Sequence, residues 1–167
     1  MNKKETFFYH CPICGNILVN MENSGVVPHC CGREMEVLKA NTSDGKVEYH
    51  VPVMEIVDDC YVCIKIGKEP HPMTKEHFIK WIYVDFKTQG SKHGGFFIHL
   101  HPGDRTEYKF CVCNIQVVGV YAYCNLHGLW KLEVDCDEKK DAETCGMYPA
   151  YCGKNPSGPQ DAYYSCD

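Results

Sequence analysis

A Cys-x-x-Cys pair, Cys11-Pro12-Ile13-Cys14, is followed after fifteen residues by the adjacent cysteines Cys30-Cys31 and then Gly32. Four thiols in so short a segment leave few ways to fold. Residues 1–38 carry too little apolar surface for a core of their own. A metal ion held by the four sulfurs is therefore expected to supply much of their stability. A Cys-x-x-Cys knuckle lets two thiolates and nearby backbone N–H groups converge on one ion, and a second pair completes a tetrahedron that suits iron or zinc. The adjacency of Cys30 and Cys31 is unusual for a zinc ribbon, whose second pair is normally spaced by two, and is expected to distort that tetrahedron. Disulfides are the competing use of the sulfur. The 13 cysteines are odd in number, and the N-terminus offers only Phe7-Phe8-Tyr9 where a secretion signal needs an apolar core. Both points favour metal binding in a reducing cytoplasm.

A second concentration of ligand chemistry runs from Tyr123 to Trp130. Cys124 and His127 lie three apart, and Asn125 and Gly128 favour a turn that points a thiolate and an imidazole at one ion. Two ligands do not fill a transition-metal site. The candidates for the others are His50, in Glu48-Tyr49-His50-Val51-Pro52, and the pair His71 and His77, in His71-Pro72-Met73-Thr74-Lys75-Glu76-His77. Together they make four imidazoles and one sulfur, one ligand short of an octahedron.

The 167 residues have a net charge of -5 with both signs interspersed, which gives no footprint for nucleic acid. No apolar run approaches the ~20 residues that cross a membrane. Residues 40–46 (Ala-Asn-Thr-Ser-Asp-Gly-Lys) form a polar linker and a plausible domain boundary. Short β-rich runs follow at 47–57, 61–66, 78–87, 96–100, 108–114, 117–123 and 129–134, separated by turn signals at Asp58-Asp59, Gly67, Gln89-Gly90 and Pro102-Gly103-Asp104. Such runs, with no strong helical period, favour an antiparallel β-sandwich with Trp81 and Trp130 in or near its core. The ligand candidates then fall in loops or at strand edges. The domain plan is 1–38, 39–135 and a Cys-rich extension over 136–167.

The spare sulfurs leave several uses open. Cys60, Cys63, Cys111 and Cys113 can make a third thiolate site, pair with Cys136, Cys145, Cys152 and Cys166, or act as small hydrophobes. The extension has few aliphatic residues and cannot form its own core; it is disordered, draped over the sandwich or stapled by sulfur. His99 and His101 alternate on a strand and read as ordinary exposed histidines.

Taken in order, these residues resemble the desulfoferrodoxin family of two-iron superoxide reductases. The resemblance rests on the Cys11-x-x-Cys14 and Cys30-Cys31 spacing, His50-Val51-Pro52-Val53, His71-Pro72-Met73 with His77 and Trp81-Ile82, Pro102-Gly103-Asp104, and Cys124-Asn125-x-His127-Gly128-x-Trp130. It covers roughly residues 7–135. It implies a desulforedoxin-like, rubredoxin-type iron centre held by Cys11, Cys14, Cys30 and Cys31, followed by an Ig-like sandwich. There a catalytic iron would have His50, His71, His77 and His127 in a plane, Cys124 axial and the sixth position open. The implied reaction is reduction of superoxide to hydrogen peroxide, a defence against oxygen in an anaerobe-type cytoplasm. The family also implies a homodimer and an electron donor such as rubredoxin. One position departs from the pattern. The family has Glu-Lys-His where this chain has Glu48-Tyr49-His50. The resemblance lets Glu48 occupy the sixth position of the oxidised iron, but the lysine that would steer superoxide is replaced by Tyr49. Lys46 or Lys75 is expected to substitute in part. The competing readings are a non-catalytic rubredoxin-like electron-transfer or metal-binding protein and, more weakly, a zinc-ribbon interaction module.

Overall fold

The computed structural model describes residues 7–22, 24–58, 61–88, 92–112 and 115–134. The chain divides into two compact units, Met1–Ala40 and Asn41–Asp167.

The first unit is built from very short strands: β1 (Phe7–His10), β2 (Ile17–Asn20), β3 (His29–Cys30), β4 (Arg33–Glu34) and β5 (Glu36–Val37). They form a three-stranded sheet in the order β2-β1-β5 and a separate β3-β4 hairpin. One small cluster packs Tyr9, Cys11 and Met35 against Val27 and Cys30. Cys11 is wholly buried, so a sulfur occupies the centre where a larger domain would place an aliphatic side chain.

The second unit begins with a single helical turn, α1 (Val47–His50). It continues through β6 (Pro52–Asp58), β7 (Tyr61–Ile66), β8 (Ile79–Thr88), β9 (His93–His99), β10 (Glu107–Cys111), β11 (Ile115–Cys124) and β12 (Gly128–Glu133). Two antiparallel sheets result, β10-β7-β6 and β12-β11-β8-β9. Strand alternation turns Val62, Ile64, Ile82, Val84, Ile98, Phe110, Val120 and Ala122 inward, where they form one continuous core between the sheets. The architecture is a mostly β, Ig-like sandwich. Trp81 is buried, but on the outer face of its sheet, stacked on Tyr123 at 5.3 Å and 6°. Among the described residues no helix is long and apolar enough to cross a membrane.

The start of the first β-rich run is corrected by the structure. Residues 47–50 form a turn of helix, and the strand begins only at Pro52. The alternation of Val47, Tyr49 and Val51 mimics a half-buried strand, yet Val47 is 61% exposed. The Val51 N–H donates to the Val47 carbonyl, and Val51, held extended ahead of Pro52, ends the turn.

Cys63 is disulfide-bonded, which removes it from any third thiolate site. Cys111 lies exposed at the end of β10. Cys60, Cys113, Cys136, Cys145, Cys152 and Cys166, with residue 135 and the whole 136–167 extension, lie outside the described residues.

Candidate metal centres

Two tight turns bring the four sulfurs of the first unit together. The Cys11 carbonyl accepts from the Gly15 N–H at 2.9 Å, and Gly15 takes φ +74° to close the knuckle between β1 and β2. The other pair sits on the two-residue β3-β4 turn, where Cys31 has φ 51° and Gly32 φ 79°. Positive φ at both central residues is the signature of a type I′ turn. Sulfurs 2.3 Å from a central ion would be about 3.8 Å apart along a tetrahedral edge. Cys14 Sγ lies 3.6 Å from Cys30 Sγ, which lies 3.9 Å from Cys31 Sγ. The distortion expected from adjacency is therefore absent at these two edges, because the left-handed residue swings Cys31 round to its neighbour. Backbone N–H bonding from Cys14 brings the Cys11 thiol down to about 6. Hydrogen bonding with Cys14 pushes the Cys31 thiol up to about 12. Four crowded sulfurs cannot all ionise without a cation, and a metal ion would supply it.

The second centre lies at one end of the sandwich, where three chain segments meet. His50 ends α1 just before β6, His71 and His77 lie in the connection from β7 to β8, and Cys124 and His127 bracket the β11-β12 turn. Donor atoms of His50, His71, His77 and Cys124 all lie within 4.8 Å of one another. His127 completes the group, with Nδ1 2.9 Å from His50 Nε2 and 3.6 Å from Cys124 Sγ. Donors 2.1 Å from an ion and at right angles to each other would be about 3.0 Å apart.

The backbone fixes which ring nitrogen is free. His50 Nδ1 donates to the Lys46 carbonyl at 2.7 Å, and His71 Nδ1 donates to the Pro72 carbonyl at 2.6 Å. Each bond leaves Nε2 as the lone-pair donor, the arrangement typical of a ligating histidine. His71 Nε2 and His77 Nε2 are buried without a hydrogen-bond partner. Buried polar atoms are rarely left unpaired, so these two suit a metal. Burial holds His50, His71 and His77 below the ordinary imidazole range, His71 at about 4. All three are thus neutral and able to ligate at neutral pH. Burial also raises the Cys124 thiol, partly opposed by the backbone N–H groups of His127 and Leu126. A bound cation would reverse that rise.

Packing holds the rings in place. Trp130 stacks on His50 at 4.7 Å. Gly45 passes so close that an added Cβ would lie 2.9 Å from Trp130 and 3.0 Å from His127. Asn125 ties the Cys124 turn to the residues on either side of His77. From the sequence Gly45 reads only as part of the polar linker and Asn125 only as a turn former within the Cys124–Trp130 motif.

Lys46, Glu48 and Tyr49 are the other site candidates. The helical turn, rather than an extended strand, stacks Lys46 above Tyr49, with Nζ 5.9 Å from the ring centre. Glu48 and Lys75 are exposed. His99 and His101 are exposed, and His101 faces Asp104 at 3.4 Å.

A family model described as Desulfoferrodoxin matches residues 42–133. Desulfoferrodoxin from Nitratidesulfovibrio vulgaris is 41% identical over 125 residues, covering 75% of this chain and 94% of the relative. Desulfoferrodoxin from Syntrophotalea carbinolica is 38% identical over 125 residues with the same coverage. The superoxide reductase structure from Treponema pallidum superposes with a TM-score of 0.61 at 28% identity, covering 78% of this chain and all of that one. The two centres correspond to the pair of iron sites of such proteins, one with four cysteines and one with four histidines and a cysteine. The chain belongs to the desulfoferrodoxin family.

Proposed function

We propose that this protein is a superoxide reductase. The observation that carries the reading is the gathering of four imidazoles and the Cys124 thiol at one end of the sandwich, with two buried ring nitrogens left for an ion. A simple electron carrier needs only the four-cysteine centre and gives no account of this second one.

In this reading His50, His71, His77, His127 and Cys124 hold a catalytic iron, while Cys11, Cys14, Cys30 and Cys31 hold a rubredoxin-type iron. An iron held there would supply the one electron by which superoxide, with two protons, becomes hydrogen peroxide. The Lys46 and Pro72 carbonyls fix the rings of His50 and His71 through their Nδ1 protons. The Cys124 thiolate would donate electron density to that iron, as thiolate ligands do in haem enzymes. Lys46, resting on Tyr49, replaces the family lysine as the cation that attracts superoxide. Glu48, one turn ahead of β6, is the carboxylate that would be available to a bound iron once product has left. Residues 1–38 form the four-cysteine iron domain, 39–135 the catalytic domain and 136–167 a Cys-rich extension. The protein works as a homodimer in a reducing cytoplasm, supplied by a rubredoxin-like donor.

The test is rapid mixing of the reduced, iron-loaded protein with superoxide. Stoichiometric peroxide without oxygen evolution is expected, together with loss in Cys124→Ser of the reaction and of the part of the sulfur-to-iron absorption that does not come from the four-cysteine centre. Evolution of oxygen, or an unchanged reaction in Cys124→Ser, would remove the proposal.

A further inference from the structure

His77 sits on an exposed connection, yet its ring must meet a thiolate that leaves the end of β11. Side chain and backbone of Asn125 together close that gap. Asn125 Oδ1 accepts from the Phe78 N–H at 2.9 Å, and Asn125 Nδ2 donates to the Glu76 carbonyl at 2.8 Å. The Asn125 N–H also donates to the Phe78 carbonyl at 3.1 Å. The residues on both sides of His77 are thus bonded to the residue that follows Cys124. A bulge in β8 beside the same point, between the pairs Tyr123–Trp81 and Cys124–Ile79, shows that regular pairing stops here. The sheet ladder therefore does not fix His77, and the carboxamide takes over.

We infer that Asn125 is a positioning residue that sets the His77 imidazole against the Cys124 sulfur. It is polar and half-buried, so an outward role in catalysis is not needed to explain it. A carboxamide is the side chain suited to the task, because it presents one acceptor and one donor to the two different backbone groups. Sulfur-to-metal donation depends on how the thiolate is held relative to the ligands beside it. Loss of the clamp should therefore alter the metal's spectrum before it alters the fold.

The molecule contains its own control. Asn41 makes the same two kinds of bond to the backbone of Lys131, donating through Nδ2 at 3.0 Å and accepting at Oδ1 from the N–H at 2.9 Å, but it brackets no candidate ligand. The inference rests on reading His77 and Cys124 as ligands of one ion. The experiment compares wild type, Asn125→Ala and Asn41→Ala, each loaded with iron and separately with cobalt. It follows the part of the absorption spectrum that Cys124→Ser abolishes, cobalt affinity by competition, and the Tm of metal-free protein. Asn125→Ala is expected to shift or broaden that absorption and to weaken cobalt binding about tenfold, the usual cost of losing a group that orients a metal ligand. Asn41→Ala should change neither, at a similar loss of Tm. Equal spectra and affinities in both variants would overturn the role of Asn125. Absence of any Cys124-dependent absorption in wild type would instead overturn the ligand reading itself. If Asn125→Ala gives no folded protein, Asn125→Asp keeps the acceptor for Phe78 and loses the donor to Glu76; an unshifted spectrum there refutes the inference.

Discussion

Removal of the metal should make the catalytic unit unusually sensitive to mild acid, with His71 as a main cause. The residue is 4% exposed, and burial holds its imidazole at about 4 against an ordinary 6.5. In the unfolded chain the ring takes up a proton as the pH falls through 6.5, whereas the folded chain resists protonation until about pH 4. The unfolded state thus binds more protons in that window, and folding stability falls with pH. The contribution is intact above the unfolded value and is lost on the way down. At ~1.4 kcal/mol per pKa unit, His71 alone accounts for about 3 kcal/mol between pH 7 and pH 4. His50 and His77 are shifted the same way by burial and add to it. The comparison is between metal-free wild type and His71→Asn, whose amide can still donate to the Pro72 carbonyl. Urea unfolding would be followed at several pH values by the fluorescence of Trp81 and Trp130, both within the catalytic unit. Wild type should lose about 3 kcal/mol more than the variant over this range, enough to abolish much of a small domain's stability. Parallel curves for the two proteins would refute the reasoning, since they would mean that His71 is hydrated in the metal-free protein.

Three further outcomes are expected. Tyr49→Lys should raise the second-order rate with superoxide at low ionic strength, and the gain should shrink as salt screens the added charge; an unchanged rate would show that Lys46 already saturates the attraction. Gly45→Ala should cost about 1–3 kcal/mol and weaken metal retention at the histidine centre, because its Cβ meets Trp130 and His127 at 2.9 and 3.0 Å. Stability by urea unfolding and metal content by elemental analysis would check it. Stripping the four-cysteine ion should unfold the first unit and leave the sandwich folded, since among the described residues the first unit's cluster is no more than Tyr9, Cys11 and Met35 with Val27 and Cys30 against them; amide exchange measured separately over residues 7–38 and 47–134 would distinguish the two.

Much of the chemistry was legible because cysteine and histidine announce ligation through spacing. The sandwich was legible as well, since short β-rich runs such as 61–66 and 117–123, punctuated by turn residues, fall within strands. The helical turn at 47–50 was not. Its residues obey a period of two, and the bonds that override it are local contacts invisible to a hydrophobic pattern, including the one from the His50 ring to the Lys46 carbonyl. The geometry of Cys30 and Cys31 was hidden for a related reason. Adjacent side chains normally diverge, and only the positive φ of Cys31 brings them to one point. Asn125 was present in the motif, but its partners are backbone groups 47 and 49 residues away, which a sequence pattern does not reveal.

The two centres also differ in when they can assemble. In the first, all four sulfurs lie within one short stretch, so an ion can gather them from an unfolded chain and drive its collapse. In the second, His50 and His127 stand 77 positions apart and meet only after both sheets have docked. Its pocket is a product of folding, not its trigger. A newly made chain should therefore acquire its structural metal during collapse and its catalytic one afterwards, which leaves a finished scaffold open to whichever divalent ion arrives first.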